Sequence, residues 1–110
     1  MLALAVGLGA FGAHGLRGRL DTYSMTIYEK AVFYHFIHAL GLLVVPLVAR
    51  DAGNRTCWLL LAGILLFSGS LYLLAITGVR MLGAVTPLGG VAFIAAWLLL
   101  AWELLRRRVQ

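Results

Sequence analysis

Residues 31–49 and 57–77 are runs of 19 and 21 residues without a formal charge, and a third such run covers residues 82–102 before Glu103 and three arginines close it. Crossing about 30 Å of hydrocarbon takes roughly 20 apolar residues in a helix. Hydrocarbon offers no water to bond free amides, so such segments must satisfy their own backbone, and runs of this length do so as helices. Residues 1–16 form a fourth, shorter run, about 24 Å long at 1.5 Å per residue. One reading of it is a signal peptide, although it lacks a basic n-region and has a poor cleavage signal. The reading adopted is a genuine first helix, either with its natural start upstream or thinning the bilayer locally.

Composition supports the same class. The 110 residues are 63% hydrophobic and 12% charged, against about 45–50% and about 25% in soluble domains. So apolar a chain cannot clothe a water-soluble globule, which excludes an ordinary soluble enzyme. A single cysteine, Cys57, excludes a disulfide scaffold. The net charge of +5 does not indicate nucleic acid, because the nine Lys and Arg lie between apolar runs rather than on one face. They are the orienting charges of a membrane protein. The expected fold is all-α: a membrane-embedded antiparallel four-helix bundle forming one domain over residues 1–110, with spans at about 1–16, 31–49, 57–77 and 87–105.

Four spans put both termini on one side. That side carries Arg50, Arg55, Arg106, Arg107 and Arg108; the other carries Arg17, Arg19, Lys30 and Arg80. The small excess, with Trp58 and Trp102 near the same interface, points to cytoplasmic termini in the inner membrane. Asp21 or Thr22 is expected to cap a helix that runs through Tyr28 into the second span and projects beyond the bilayer. Thr86-Pro87 reads as the N-cap and first position of the last helix, leaving residues 78–85 as the connection.

Polarity is concentrated in one half. Gly9-Ala10-Phe11-Gly12-Ala13-His14-Gly15-Leu16 ends the first helix, Tyr34-His35-Phe36-Ile37-His38 opens the second span, Phe67-Ser68-Gly69-Ser70-Leu71-Tyr72 ends the third, and Thr86-Pro87-Leu88-Gly89-Gly90 opens the fourth. Alternating helix directions bring all four segments to the half away from the C-terminal arginines. His35 and His38 are neighbours on one helix face, in line with Tyr28, and intramembrane ionisable residues point to function. With His14 they offer three nitrogens, the chemistry of a metal or haem site. The alternatives are a polar ligand pocket and plain hydrogen bonding within the bundle. Apart from Glu103 at the far end of the fourth, no carboxylate lies in the spans, so no metal or cofactor is expected, and Ser68 and Ser70 lack an oriented base for catalysis. Ala5, Gly9 and Ala13 form a small-residue stripe for close packing. Gly89 and Gly90 serve either packing or an anion at the first turn of the fourth helix.

On those four segments the chain resembles the YgdD/YwdK-like family of small bacterial inner-membrane proteins, which has a mitochondrial transmembrane relative. The resemblance covers nearly the whole chain. It implies a small inner-membrane fold and a longer N-terminus than this one; the family is a domain of unknown function and implies no activity.

The function expected is that of a non-enzymatic membrane protein binding a lipid headgroup, small solute or partner helix. The binding residues would be His14, Tyr34, His35, His38, Ser68, Ser70, Tyr72, Thr86, Gly89 and Gly90. A small homo-oligomeric transporter or channel and an accessory subunit of a larger membrane complex are the alternatives. The bilayer is the expected partner in every case.

Overall fold

The structure, a computed structural model, describes residues 1–50 and 53–109; residues 51, 52 and 110 of the expected domain lie outside the described residues. Among the described residues every regular element is helical: α1 (Leu2–Phe11), α2 (Thr22–Val48), α3 (Gly53–Gly63), α4 (Gly69–Thr77) and α5 (Thr86–Val109). A π-helical turn, Gly12–Leu16, extends α1, and a second, Ile64–Ser68, joins α3 and α4 into one rod. The result is an antiparallel bundle of four rods, 55 Å in its longest dimension. Three rods, Thr22–Val48, Gly53–Thr77 and Arg80–Val109, are long and apolar enough to cross a membrane, and Leu2–Leu16 is a shorter apolar helix.

Local chemistry sets the ends. After the first rod, Gly18 takes φ +85°, a left-handed conformation open to glycine, and the Leu16 carbonyl accepts from the Arg19 and Leu20 amides at 2.9 and 3.2 Å. Asp21 is the N-cap of α2, its carboxylate accepting from the Ser24 amide at 2.7 Å. That bond holds the exposed carboxyl below its ordinary value of 3.8. Pro46 lies in the last turns of α2, which ends at Val48; it has no N–H for the carbonyl four residues before it. Gly78, at φ +72°, closes α4 and donates its amide to the Leu74 carbonyl. The following connection contains a 3₁₀ turn, Arg80–Ala84, and α5 already includes Thr86, so it starts one residue before the expected first position, Pro87.

Two core regions stack along the bundle. One joins Ala39, Val45, Leu60, Ile64, Phe93 and Ala96 from α2, α3, the π-turn and α5. The other, nearer the Gly18 and Gly78 turns, joins Leu16, Tyr28 and Ala75, with Tyr72 against them. The helices meet closely because glycines leave room for rings. A Cβ on Gly89 would come within 2.7 Å of the Phe67 Cα, and one on Gly63 would enter the Phe93 ring.

The expected small-residue stripe is corrected at one position. Ala5 and Gly12 are buried while Ala13 is exposed. At 3.6 residues per turn, a step of seven returns to within about 20° of the starting face, whereas a step of eight overshoots by about 80°. Gly12 therefore faces α2, where the Tyr28 ring covers it.

Two outcomes follow from these contacts. Gly89→Ala should lower stability by about 1–3 kcal/mol through overpacking against backbone. Gly7→Ala, with nothing within 4 Å of the new Cβ, should melt in detergent at or above the parent temperature. At the start of α2, the lowered Asp21 carboxyl contributes stability that is complete above its unfolded value and is lost as pH falls through the folded one. Asp21→Asn should keep a cap but flatten that acid dependence, read by circular dichroism across an acid titration.

Candidate functional site

Nine of the ten expected residues separate into three groups. His35, buried on α2, faces α4: its Nδ1 is 2.9 Å from the Tyr72 hydroxyl, and the two rings meet edge-on. Tyr28, two turns earlier on α2, packs edge-on against the same Tyr72 ring at 5.2 Å and donates its own hydroxyl to the Leu8 carbonyl. Among the described residues His35 Nε2 is buried without a hydrogen-bond partner of good geometry, with the Met1 backbone near the ring. The Nδ1–Tyr72 bond leaves Nε2 one of two states. It is a bare acceptor when Nδ1 carries the proton, and an N–H donor when Tyr72 donates.

His38 belongs to a second group. A carbonyl can only accept, so Nδ1 donates to the Tyr34 carbonyl, at 2.8 Å. The imidazole lies flat on the Phe93 ring, with centroids 3.4 Å apart and planes 9° apart, and Trp97 stands beside it. Tyr34 stacks parallel to His38 and tilts against Phe67 at 4.6 Å, with its outer edge exposed. His35 and His38 share a helix face, but their rings reach different neighbours, α4 for one and α5 for the other.

The hydroxyls form the third group. Ser68, fully buried in the π-turn, donates to the Ala31 carbonyl of α2 at 2.9 Å. Ser70 donates to the Phe67 carbonyl and pairs with the Thr86 hydroxyl at 2.6 Å, which ties α4 to the first turn of α5. Gly89 is buried against the Phe67 backbone, whereas a Cβ on Gly90 would meet the Phe67 ring only at ordinary distance. His14 stands apart: it is exposed on the Gly12–Leu16 turn and makes no hydrogen bond or ring contact with the other nine. Among the described residues no three His, Cys, Asp or Glu side chains converge as metal ligands would.

The π-turn explains how Phe67, Ser68 and Ser70 serve three neighbours at once. An added residue per turn shifts the faces that follow it, so Phe67 meets Gly89 and Phe93, Ser68 reaches α2, and Ser70 reaches Thr86. Sequence reasoning did not include Tyr28 and Phe93 in the site. Each had a signal: Tyr28 lies seven residues before His35 on one stripe, and Phe93 lies one turn after Gly89. Clefts open elsewhere, one between the first rod and the start of α2, another among Asp21, Tyr23, Leu74 and Arg80.

An all-α bundle of apolar rods with its side-chain hydrogen bonds gathered in one half defines an integral membrane protein. The chain belongs to the family described as "Protein of unknown function (DUF423)", whose profile matches residues 8–90. It is 56% identical over 100 residues to the UPF0382 membrane protein SERP0230 of Staphylococcus epidermidis, covering 88% of this chain and 82% of the relative. It is 53% identical over 102 residues to the UPF0382 membrane protein YwdK of Bacillus subtilis, covering 88% and 83%. No solved structure matches the chain.

The two kinds of polar contact should respond differently to truncation. Ser68→Ala removes one interhelical hydrogen bond, and such bonds average about 0.6 kcal/mol in membrane bundles, with a maximum near 1.7. His38→Ala also empties the space against Phe93 and should cost about 2–5 kcal/mol, the range of large-to-small core changes. Unfolding of both variants in mixed micelles measures the difference.

Proposed function

We propose that this protein is a multi-pass inner-membrane protein without a reaction of its own, holding a polar ligand in the half of the bundle that contains His35. One observation carries the reading: His35 Nε2 is buried and unpartnered, on a ring whose other nitrogen is engaged by Tyr72. A buried polar atom left unpaired costs about 1–3 kcal/mol, so a ligand that satisfies it gains that amount. His38, Ser68 and Ser70 make bonds within the chain and shape the surroundings. The ligand class is a lipid headgroup, a small solute or a polar side chain of a partner helix.

Both termini are assigned to the cytoplasm. Support comes from five basic residues on that side against four on the other, and from Trp58 and Trp102, both exposed on the bundle surface where interfacial tryptophans anchor helices. The spans are assigned to about residues 1–16, 31–49, 57–77 and 87–105, which leaves the start of α2 outside the hydrocarbon.

Native mass spectrometry of gently extracted protein tests the reading. The parent chain should carry a retained species, alone or within a homo-oligomer or larger complex, that His35→Ala loses and Ser68→Ala keeps. A bare assembly whose mass does not change with His35→Ala would overturn it and leave the His35 ring as packing.

A further inference from the structure

A cleft of about 140 Å³ lies where the end of the first rod meets the first three turns of α2. Two glycines create it: Gly9 and Gly12 present no side chain to α2. The back wall is the Tyr28 ring, buried over Gly12 and tethered through its hydroxyl to the Leu8 carbonyl. Arg17, from the connection, and Glu29, from α2, both line the cleft and are both exposed. Among the described residues neither makes an ion pair or a side-chain hydrogen bond. Opposite charges on one cleft would ordinarily collapse onto each other; here each is left to an external partner.

Depth in the bilayer narrows the partner. At 1.5 Å per residue the 27 residues of α2 extend about 40 Å, about 10 Å more than the hydrocarbon they cross. With the spans proposed above, the first turns of α2, with Glu29, stand at headgroup level, as does Arg17 opposite. Phosphates and amines of lipids occupy that layer. Below the cleft the seam between the two rods is apolar: Gly9 meets Val32 and Phe36 there, and Val6, one turn further down, is exposed. Exposed Val6 offers an apolar surface beside the seam to an acyl chain.

We propose that this cleft binds the zwitterionic headgroup of an aminophospholipid, with Arg17 on the phosphate and Glu29 on the primary ammonium. A guanidinium matches a phosphate through paired donors, and a carboxylate accepts from an ammonium. An anionic lipid without an amine satisfies Arg17 alone and meets repulsion from Glu29, so the pair selects for the amine. The site shares none of its charged groups with the His35 contact and stands independently of it.

The test uses the full chain in native mass spectrometry, titrated with phosphatidylethanolamine, phosphatidylglycerol and phosphatidylcholine of the same acyl chains. The parent chain should retain phosphatidylethanolamine in preference to the other two. Each charge near a membrane surface contributes about 1 kcal/mol, or about fivefold in binding. Glu29→Gln should therefore remove about fivefold of the preference over phosphatidylglycerol, and Arg17→Gln should weaken both lipids by about that factor. Lys30→Gln, next to Glu29 but outside the cleft, should not reduce the preference for phosphatidylethanolamine. Glycerophosphoethanolamine, which has the headgroup without tails, should compete poorly. Equal retention of the three lipids would overturn the proposal, as would a preference that survives Glu29→Gln. Tight binding of the tailless headgroup would overturn the lipid as its source. Thermal melts of each variant verify that these exposed changes leave the fold intact.

Discussion

A hydroxyl or imidazole in hydrocarbon has no water to fall back on, so its partner must come from the bundle itself. Each of the hydroxyls of Tyr28, Ser68 and Ser70, and the Nδ1 of His38, is spent on a backbone carbonyl. Two of these bonds join different rods: Tyr28 ties α2 to α1 through Leu8, and Ser68 ties the π-turn to α2 through Ala31. A carbonyl within a helix has a second lone pair to offer, so these bonds add to the helix ladder without breaking it. Such a bond demands that backbone and side chain approach closely, which is possible only where a neighbouring position is small. Gly12 beneath Tyr28 and Gly89 beneath Phe67 supply those positions.

The two halves of the bundle therefore pack by different rules. Away from the Gly18 and Gly78 turns, Leu60, Val45 and Ala96 interlock as apolar surfaces, an arrangement tolerant of shape-preserving change. In the other half, position and chemistry are coupled. Moving Ser68 by one residue would break its bond to Ala31 and also shift Phe67 off Gly89. The π-turn at Ile64–Ser68 sits where both kinds of packing meet, with Ile64 in the apolar core and Ser68 in the polar half. A single wider turn lets one rod serve both regions.

Much of this was legible from residue order. Charge-free runs of about 20 residues located the long rods, Asp21 announced the start of α2, and Gly78 and Thr86-Pro87 bracketed the last connection. These are local signals, and local physics governs them. Less legible was anything that depends on which neighbour a ring meets. His35 and His38, three residues apart, suggest a shared site, but they point about 60° apart around the helix, enough to send one to Tyr72 and the other to Phe93. His14 shares a half of the bundle with them and is nonetheless exposed, because Gly12 takes the inward position on its turn. Neither π-turn has a residue signature that period counting detects.

The separation of polar groups into inner and interfacial sets has a consequence for what the bundle can bind. Inside, nearly every donor has a carbonyl within reach. Among the described residues two buried polar atoms lack a partner, Thr56 Oγ1 in the apolar half and His35 Nε2 in the polar half, and in the polar half a ligand gains at His35 Nε2. At the end of the first rod the situation reverses: Arg17 and Glu29 are exposed and, among the described residues, make no side-chain bond. Charges at that depth are partly hydrated, so leaving them unpaired costs little, while pairing them with a lipid orders few new atoms. Discrimination there comes from the arrangement of two opposite charges around one small cleft, since a single charge attracts any counter-charged headgroup. The Tyr28 ring belongs to both regions, lining the cleft on one side and packing on Tyr72 on the other.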